Sequence, residues 1–456
     1  MLRKVATNDN VEKAPTGTTH WLLKIIMIPF TAQYLLVCGY VILLGVILLE
    51  RSGYSAFGLL EKRQDYFHNS HAIMLSSRQD LGVSGPALYE LFEKHLLDAY
   101  RIPGRYPGGI STLYDTFSEY VFKGTSRGNC SVERSAVAKL TRDVTPLPIH
   151  SHNDYWRDVP LLKGLAYGSV STEADVWVHP HKDHPYNSTT DKLEDYVLAV
   201  GHDEDYIDPL RKTLEKLYTD PLQSLLEGVN CGKSNNSKTQ KNGVFYTANH
   251  IALFFYIDFK SDDNVLTYKL LLEKYFTQLI QAGYLTYYDM DTGKIIQGQV
   301  TVIMTGNYPN NTDVLDNGKA DGYFGDRKRY LLQDANLLEL NEESAKMAVT
   351  ASTSLSEILK MVGSSNLKVI MRGHLDKEEI TAIKKYIDNA HSFDLKTRIW
   401  GVPSWPRKTM KRLWKQQIED LNSDFLNVDD FKGRSYVLRY SRSMTGRPSR
   451  HLFFHY

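Results

Sequence analysis

Residues 172–178 read TEADVWV, and this stretch carries the pattern from which the fold is inferred. Glu173 and Asp175 are two positions apart, so on a β-strand both side chains point to the same face. Their neighbours are apolar, which indicates a buried strand with a polar end. In α/β barrels the carboxyl ends of the strands build the active site. The stretch therefore predicts a barrel strand that ends in functional carboxylates.

Other short apolar runs follow Pro146, and helix-like segments such as 210–229 and 378–390 separate some of them. This alternation predicts an α/β fold, a (β/α)₈ TIM barrel covering residues 145–456. A doubly wound open sheet has the same alternation and remains an alternative. The predicted strands are 146–150, 170–176, 198–201, 253–259, 300–305, 348–351, 397–400 and 425–428.

Residues 25–49 form a run of 25 residues without a charge. At about 1.5 Å rise per residue, a helix of this length exceeds a hydrocarbon core of roughly 30 Å. The run predicts a transmembrane anchor, preceded by a short tail (1–24) and followed by a juxtamembrane or stem segment (50–144). A cleaved signal peptide and a buried helix are the alternatives. Four basic residues precede the run and three closely follow it, a slight bias that favours a cytosolic N-terminus and a lumenal or extracellular barrel.

Net charge, cysteines and glycosylation triplets bear on the partners of the chain and on the compartment in which it lies. The formal net charge is +1 and the sequence pI about 7.7, so no strong positive field favours nucleic acid. Cys38 lies in the apolar run, which leaves Cys130 and Cys231 able to pair in an oxidising compartment. Acceptor triplets for N-glycosylation begin at Asn129, Asn187, Asn235 and Asn310. They predict a glycoprotein if the barrel is exported. Nothing in the sequence points to a particular oligomeric state.

Polar residues also follow the other predicted strands, in IHSHNDY (149–155), LAVGHDED (198–205) and YIDFKSD (256–262). Asp258 and Lys260 share a strand face, as the two carboxylates of TEADVWV do. Oxygen ligands of this kind suit Mg²⁺ or Ca²⁺, and such an ion with an ammonium group suits a phosphate ester. His152 and His202 would supply an acid/base pair near neutral pH. The structural alternative is a set of buried ion pairs.

In this order, the motifs HSHND, E-x-D, GHD and D-x-K resemble the phosphodiesterase barrels, which include glycerophosphodiester and phosphoinositide phosphodiesterases. More closely, HSHNDYWRDVPLL, EADVWV, GHD, VPSWP and LNVDD resemble the fungal altered inheritance of mitochondria protein 6 family, over roughly residues 145–430. This resemblance implies a barrel of the phospholipase-C-like (PLC-like) phosphodiesterase type. The implied activity is hydrolysis of a glycerophosphodiester or phospholipid-type substrate, which places the chain in lipid metabolism.

The resemblance also assigns roles to individual residues. His152 and His202 match the two catalytic histidines, and Lys260 matches the phosphate-facing lysine. The matches to the metal ligands are Glu173, Asp175 and Asp258. The chain departs from the glycerophosphodiesterases in three ways. Asn153, at the phosphate-binding position, stands where they have arginine. Asp258 replaces their glutamate, and their Pro-Glu-Asn-Thr element is missing. The metal and acid/base chemistry is retained, but the phosphate clamp differs.

Two other interpretations of the function remain, and two local features also need an assignment. An amidohydrolase-like metal site would use His150, His152 and Asp429, but it needs later histidines, and none occurs between His250 and His374. A membrane-tethered binding protein would have kept the barrel and lost turnover. The run HPHKDH (179–184) is predicted to be a surface loop and not a metal site. Trp400 and Trp405 are predicted to pack in the fold, with a place at the site's mouth as the alternative.

Overall fold

The computed structural model describes residues 80–95, 112–124, 131–180, 192–232 and 240–431. All of these residues belong to one compact unit, His68–Tyr456. The predicted tail and anchor at 1–49 lie outside the described residues. Within the described part of the chain, no helix is both long and apolar enough to cross a membrane.

Eight parallel strands close into a barrel, because the first strand pairs with both the second and the last. Closure rules out the open-sheet alternative and confirms the barrel. The barrel order is β1, β2, β4, β7, β9, β10, β11, β12. The strands of the described residues are β1 (Leu147–Ser151), β2 (Ser169–Pro180), β3 (Tyr196–Val200), β4 (Leu253–Phe259), β5 (Tyr287–Asp289), β6 (Lys294–Ile296), β7 (Val300–Gly306), β8 (Lys328–Arg329), β9 (Leu331–Asn336), β10 (Ala348–Ser354), β11 (Lys396–Trp400) and β12 (Phe425–Val428).

Helices follow most barrel strands and pack on the outside of the barrel. Polar caps begin several of them: Ser354 and Asp376 accept hydrogen bonds from the backbone N–H three residues later, in capping boxes. The α-helices of the described residues are α1 (Gly85–His95), α2 (Thr112–Phe122), α3 (Ala136–Thr141), α4 (Leu162–Ala166), α5 (Asp220–Val229), α6 (Asn264–Leu270), α7 (Thr277–Gln281), α8 (Thr312–Leu315), α9 (Glu342–Ala345), α10 (Leu355–Met361), α11 (Asn366–Arg372), α12 (Lys377–Ser392) and α13 (Arg407–Glu419).

One strand assignment from the sequence is wrong. Residues 198–201 were expected to enter the barrel, but β3 runs antiparallel to β2 and lies outside the closed ring. The barrel strand that the sequence did not reveal is β9, LLQDAN. Its Asp334 accepts hydrogen bonds from Thr350 and Ser352 on β10. A strand that turns polar side chains toward buried partners lacks the apolar run that marks a buried strand.

The main hydrophobic core lies between the barrel and its helices. It also includes side chains from α1, α2 and α3, such as Phe92 and Phe117, which are fully buried. These helices fall in the segment 50–144 that the sequence assigned to a stem. The described part of that segment therefore contributes to the barrel's core.

Candidate active site

The seven predicted site residues come together at the carboxyl ends of neighbouring strands. β2 lies between β1 and β4, and the register places Asp175 opposite Asp258. Lys260 and Asn153 follow their strands by one or two residues. Six of the seven are grouped because parallel strands present all their carboxyl ends at one rim, whereas His202 is brought to this rim by β3, which runs antiparallel to β2. The remaining residues are Glu173, on β2, and the two histidines, His152 and His202.

Three carboxylates form the centre of the site. Glu173, Asp175 and Asp258 each offer one oxygen, and these oxygens lie within 4.8 Å of one another. Lys260 Nζ is 3.0 Å from Asp175 Oδ2 and 2.6 Å from Asp258 Oδ2. One ammonium group thus balances part of the negative charge at this rim.

The carboxylate cluster fits a divalent cation. Asp175 Oδ1 is buried and has no hydrogen-bond partner, which is costly unless another ligand satisfies it. Burial first, and then the charges of Glu173 and Asp258, raise the pKa of Asp175 to about 8. All three donors are oxygen atoms, the kind that Mg²⁺ and Ca²⁺ prefer.

A glycine makes room for one of the carboxylates. Gly306 ends β7 at φ +74°, and a Cβ built there would lie 1.9 Å from Asp258 Oδ1. Since no real Cβ approaches that closely, only glycine leaves space for the Asp258 carboxylate at this position. Gly306 is therefore part of the site although it has no side chain that could take part in a reaction.

His152 is held by a carboxylate on the last strand's loop. Its Nδ1 lies 2.6 Å from Asp429 Oδ1, and its Nε2 lies 3.9 Å from Glu173 Oε2. Burial alone would lower the pKa of His152, but the hydrogen bond to Asp429 and the Glu173 charge outweigh burial and raise it above its ordinary value. The imidazole thus points one nitrogen at an orienting carboxylate and the other at the cluster.

Arg157 fixes the loop that carries Asp429. Its two terminal nitrogens donate to the carbonyl oxygens of Asp429 (2.8 Å) and Val428 (2.9 Å). Its Nε donates to Ser151 Oγ at 2.7 Å, and its guanidinium lies 3.9 Å from the centre of the Phe431 ring. The loops after β1 and β12 are thereby tied together, which sets the position of His152.

His202 reaches the cluster from β3, outside the barrel. The N–H of Gly201 donates to the Asp175 carbonyl at 3.1 Å, and Trp177 Nε1 donates to the Gly201 carbonyl at 2.8 Å. His202 Nδ1 lies 3.5 Å from Asp175 Oδ2, and 49% of the side chain is exposed. The two histidines are thus supported differently, since His152 is only 24% exposed.

Asn153 and Tyr155 connect the histidines to the carboxylates. Asn153 has φ 47°, and its backbone N–H donates to Glu173 Oε2 at 2.9 Å. The Tyr155 hydroxyl lies 2.6 Å from Asn153 Oδ1, 2.8 Å from Asp175 Oδ2 and 3.2 Å from His202 Nδ1. Burial and the nearby Asp175 charge raise the pKa of Tyr155. Tyr155 therefore stays a neutral hydroxyl that bonds to both sides of the site.

A buried layer beneath the cluster includes Arg398 and His150. The ring nitrogens of His150 lie 2.8 Å from Ser171 Oγ and 2.9 Å from Arg398 Nη1. Burial, and then the Arg398 charge, lower the pKa of His150 to about 3. Both nitrogens are occupied by protein partners, so His150 does not offer a metal ligand. This geometry disfavours the amidohydrolase-like interpretation.

Sequence reasoning missed several residues of this site, among them Gly306, which ends β7 beside Asp258. Tyr155 stood inside the quoted HNDY motif and could have been recognised as a polar group beside two candidates. Asp429 was considered only for the amidohydrolase-like site. Arg398 gave no signal, because a single arginine in the apolar strand KTRIW does not show that it points into the barrel.

Comparisons with known proteins identify the relatives of the chain. Residues 138–326 match the AIM6-like phosphodiesterase domain. Altered inheritance of mitochondria protein 6 of Candida glabrata is 98% identical over 89% of this chain and 99% of that protein. The proteins of that name from Saccharomyces cerevisiae (strain S288c) and Zygosaccharomyces rouxii are 45% and 43% identical, each over 86% of this chain and 95% of the relative. No solved structure shows significant similarity to the chain.

Proposed function

Because the chain belongs to the altered inheritance of mitochondria protein 6 family, whose phosphodiesterase-type domain it carries, we propose that it is a metal-dependent phosphoric diester hydrolase. The observation that carries the proposal is the cluster of three carboxylate oxygens within 4.8 Å of one another. Lys260 and two histidines lie around this cluster. A purely structural set of ion pairs would not leave Asp175 Oδ1 buried and without a partner.

Glu173, Asp175 and Asp258 would hold the cation, which when bound would neutralise charge on a phosphate oxygen. Lys260 would offset charge on a second phosphate oxygen. It lies at the exposed side of the cluster with 24% of its side chain accessible. Asn153, whose side chain lies beside both His152 and Tyr155, would face the phosphate in place of an arginine.

The two histidines divide the proton transfers. If the Nδ1 of His152 carries the proton shared with Asp429 at 2.6 Å, the neutral ring presents an unprotonated Nε2 toward the substrate. His152 would then remove a proton from the nucleophile, and His202 would protonate the leaving oxygen. Following the resemblance, the nucleophile would be a neighbouring hydroxyl of the substrate. Its oxygen would bond to phosphorus as the ester oxygen leaves, which gives a cyclic phosphate first. Attack of water on phosphorus would then open this cyclic ester and complete the hydrolysis.

We further propose that residues 25–49 anchor the protein in a membrane, with the barrel on the lumenal or extracellular side. Cys231 is disulfide-bonded, and disulfides persist mainly in oxidising compartments. The acceptor triplet at Asn187 would then be open to glycosylation. After carbonate extraction of membranes the protein should remain in the pellet, and recovery of the intact chain in the supernatant would contradict the anchor.

Hydrolysis by the purified full-length chain tests the proposed chemistry. Phosphodiesters with glycerol and phospholipid-type leaving groups should be cleaved with Mg²⁺ or Ca²⁺ present and not after exhaustive chelation. His152→Ala and His202→Ala should each lower the rate by about 10² to 10⁴, the range for a positioned acid or base. His250→Ala is the matched control, since His250 is exposed and lies outside the site.

Full turnover after chelation would contradict the metal assignment. Wild-type rates in either histidine variant would remove that histidine from the mechanism. If the chain binds a phosphodiester but never cleaves it under any divalent ion, the function is binding and not hydrolysis.

A further inference from the structure

The exposed tryptophans of the described residues all lie at one end of the barrel. Trp156 follows β1, Trp400 ends β11 and Trp405 follows it, with exposed fractions of 50%, 40% and 77%. The expectation that Trp400 and Trp405 pack in the fold is therefore wrong. The rim on which they lie is the one that carries the candidate active site.

Exposed indole rings are costly in water and favourable at a membrane surface. The ring is apolar, while its N–H still needs a polar partner, and the boundary between lipid tails and headgroups offers both. Trp405 is the most exposed aromatic residue in the described part of the chain. The exposed side chains of Trp400 and Trp405 thus point to a partner whose surface is polar and whose layer just below the surface is apolar.

Within the chain segment that contains this pair, the charge has one sign, although Asp429 and Asp430 after the neighbouring β12 are also exposed. From Trp400 to Ile418 the sequence has five basic residues and no acidic one. α13 buries Leu413 and Trp414 against the fold and exposes its basic side chains. Those with exposed positions beside Trp405 are Arg407, Lys408, Lys411 and Arg412.

We propose that residues 400–412, here called the rim surface, dock onto a lipid bilayer that contains anionic headgroups. Tryptophan would enter the boundary region, and the basic side chains would lie among negative headgroups of the leaflet that faces the barrel. Such headgroups attract Lys and Arg near the surface, and docking requires them in that leaflet on whichever side of the membrane the barrel lies. The uncharged run at 25–49 is long enough to hold the chain at a membrane. A bilayer is therefore the partner that both the charge pattern and the sequence favour.

The opposite side of the same rim sets the orientation. Asp203, Glu204 and Asp205 follow β3 and are exposed, and negative charge is repelled by an anionic surface. The barrel would therefore tilt, with the β11 side against the bilayer and the β3 side, which carries His202, facing water. A substrate leaving the bilayer would reach His152 before His202.

Quenching of tryptophan emission by brominated lipid tests the proposal. The full-length chain is reconstituted in vesicles of brominated phosphatidylcholine, with or without phosphatidylserine. If Trp405 is docked, Trp405→Phe removes a quenched emitter and the quenched share of the emission falls. If Trp405 lies in water, the same change removes an unquenched emitter and the quenched share rises. The sign of the change thus decides whether Trp405 contacts lipid.

Charge reversal tests the role of the basic residues. Each basic residue near an anionic surface contributes about a fivefold preference, so Arg407→Glu with Lys408→Glu should weaken docking by at least about 25-fold. Lys294→Glu with Lys346→Glu is the matched control, because both lysines are exposed and lie away from the carboxyl rim. Lys346 precedes β10, and Lys294 begins β6 in the small sheet whose β8 leads into β9. Circular dichroism confirms that each variant is folded.

Equal loss of quenching in the control, or equal quenching with and without phosphatidylserine, would overturn the proposal. So would a rise in the quenched share on Trp405→Phe. A change in oligomer mass on Trp405→Phe without lipid quenching would assign the rim surface to contact between copies of the chain. None of these measurements depends on hydrolysis, so failure of the proposed function would leave this result unaffected.

Discussion

Gly306→Ala should disable the proposed cation site through a single methyl group. The new Cβ would lie 1.9 Å from Asp258 Oδ1, whereas real Cβ atoms stay beyond about 3.0 Å, so the carboxylate must move by about 1 Å. Metal ligands tolerate only about 0.2 Å, and a misplacement of about 1 Å in a site can cost 10²-fold. We therefore expect divalent-ion affinity and hydrolysis to fall by about 10²-fold, while the two histidines are unchanged.

Gly363→Ala separates this clash from backbone strain. Gly363 has φ +77°, close to the +74° of Gly306, but a Cβ there would meet nothing within 4 Å. Both variants carry the cost of a left-handed alanine, about 1 to 2 kcal/mol, and only Gly306→Ala carries the clash. Calorimetric titration of the full-length chain with Mg²⁺ and Ca²⁺ gives the affinities. Equal affinities in the two variants would refute the placement of Asp258 at the cation.

Three further expectations follow from the electrostatics of the site. Asp429→Asn should lower the pKa of His152, so the limb of the pH–rate profile that reports this histidine should move to lower pH. Asp430→Asn is the control. If the limb does not move in Asp429→Asn, the pairing of His152 with Asp429 is contradicted. Because the pKa of Asp175 is raised to about 8, protons compete with the metal below that pH. Metal affinity should rise up to tenfold per pH unit until about pH 8. Calorimetric titration in buffers of different ionisation enthalpy should show the release of the proton. A metal affinity that does not change with pH would argue against Asp175 as a ligand. Since the pKa of His150 is lowered to about 3 in the folded chain, the unfolded chain binds more protons between that value and about 6.5. The free energy of unfolding should fall by up to about 1.4 kcal/mol per pH unit as pH drops through this window, and urea unfolding of His150→Gln should lose that contribution.

Most of the barrel could be predicted from local sequence. Strand candidates 253–259 and 425–428 match β4 and β12 residue for residue, because both are short apolar runs with clear ends. β9 could not be found this way, since its Asp334 is satisfied by Thr350 and Ser352 on the next strand, β10, and not by residues of β9 itself. A strand stabilised by cross-strand hydrogen bonds gives no local apolar signal.

The candidate site was predictable where its residues follow strands directly. The spacing of Glu173 and Asp175, and of Asp258 and Lys260, determines which side chains share a face. Arg398 and Gly306 were not predictable, because their roles depend on which strands become neighbours in the closed barrel. Such information is absent from any single stretch of the chain.

The charges around the proposed cation site also bear on the valence of the ion that it would hold. Two permanent cations, Lys260 and Arg398, face four carboxyl groups, and with all four ionised the sum is two negative charges. A monovalent ion would leave one charge uncompensated in a low-dielectric interior, and a trivalent ion would reverse the sign. With all four carboxyl groups ionised, electroneutrality would therefore favour a doubly charged ion at the proposed site, before coordination geometry discriminates among metals. The four carboxyl groups are Glu173, Asp175, Asp258 and Asp334.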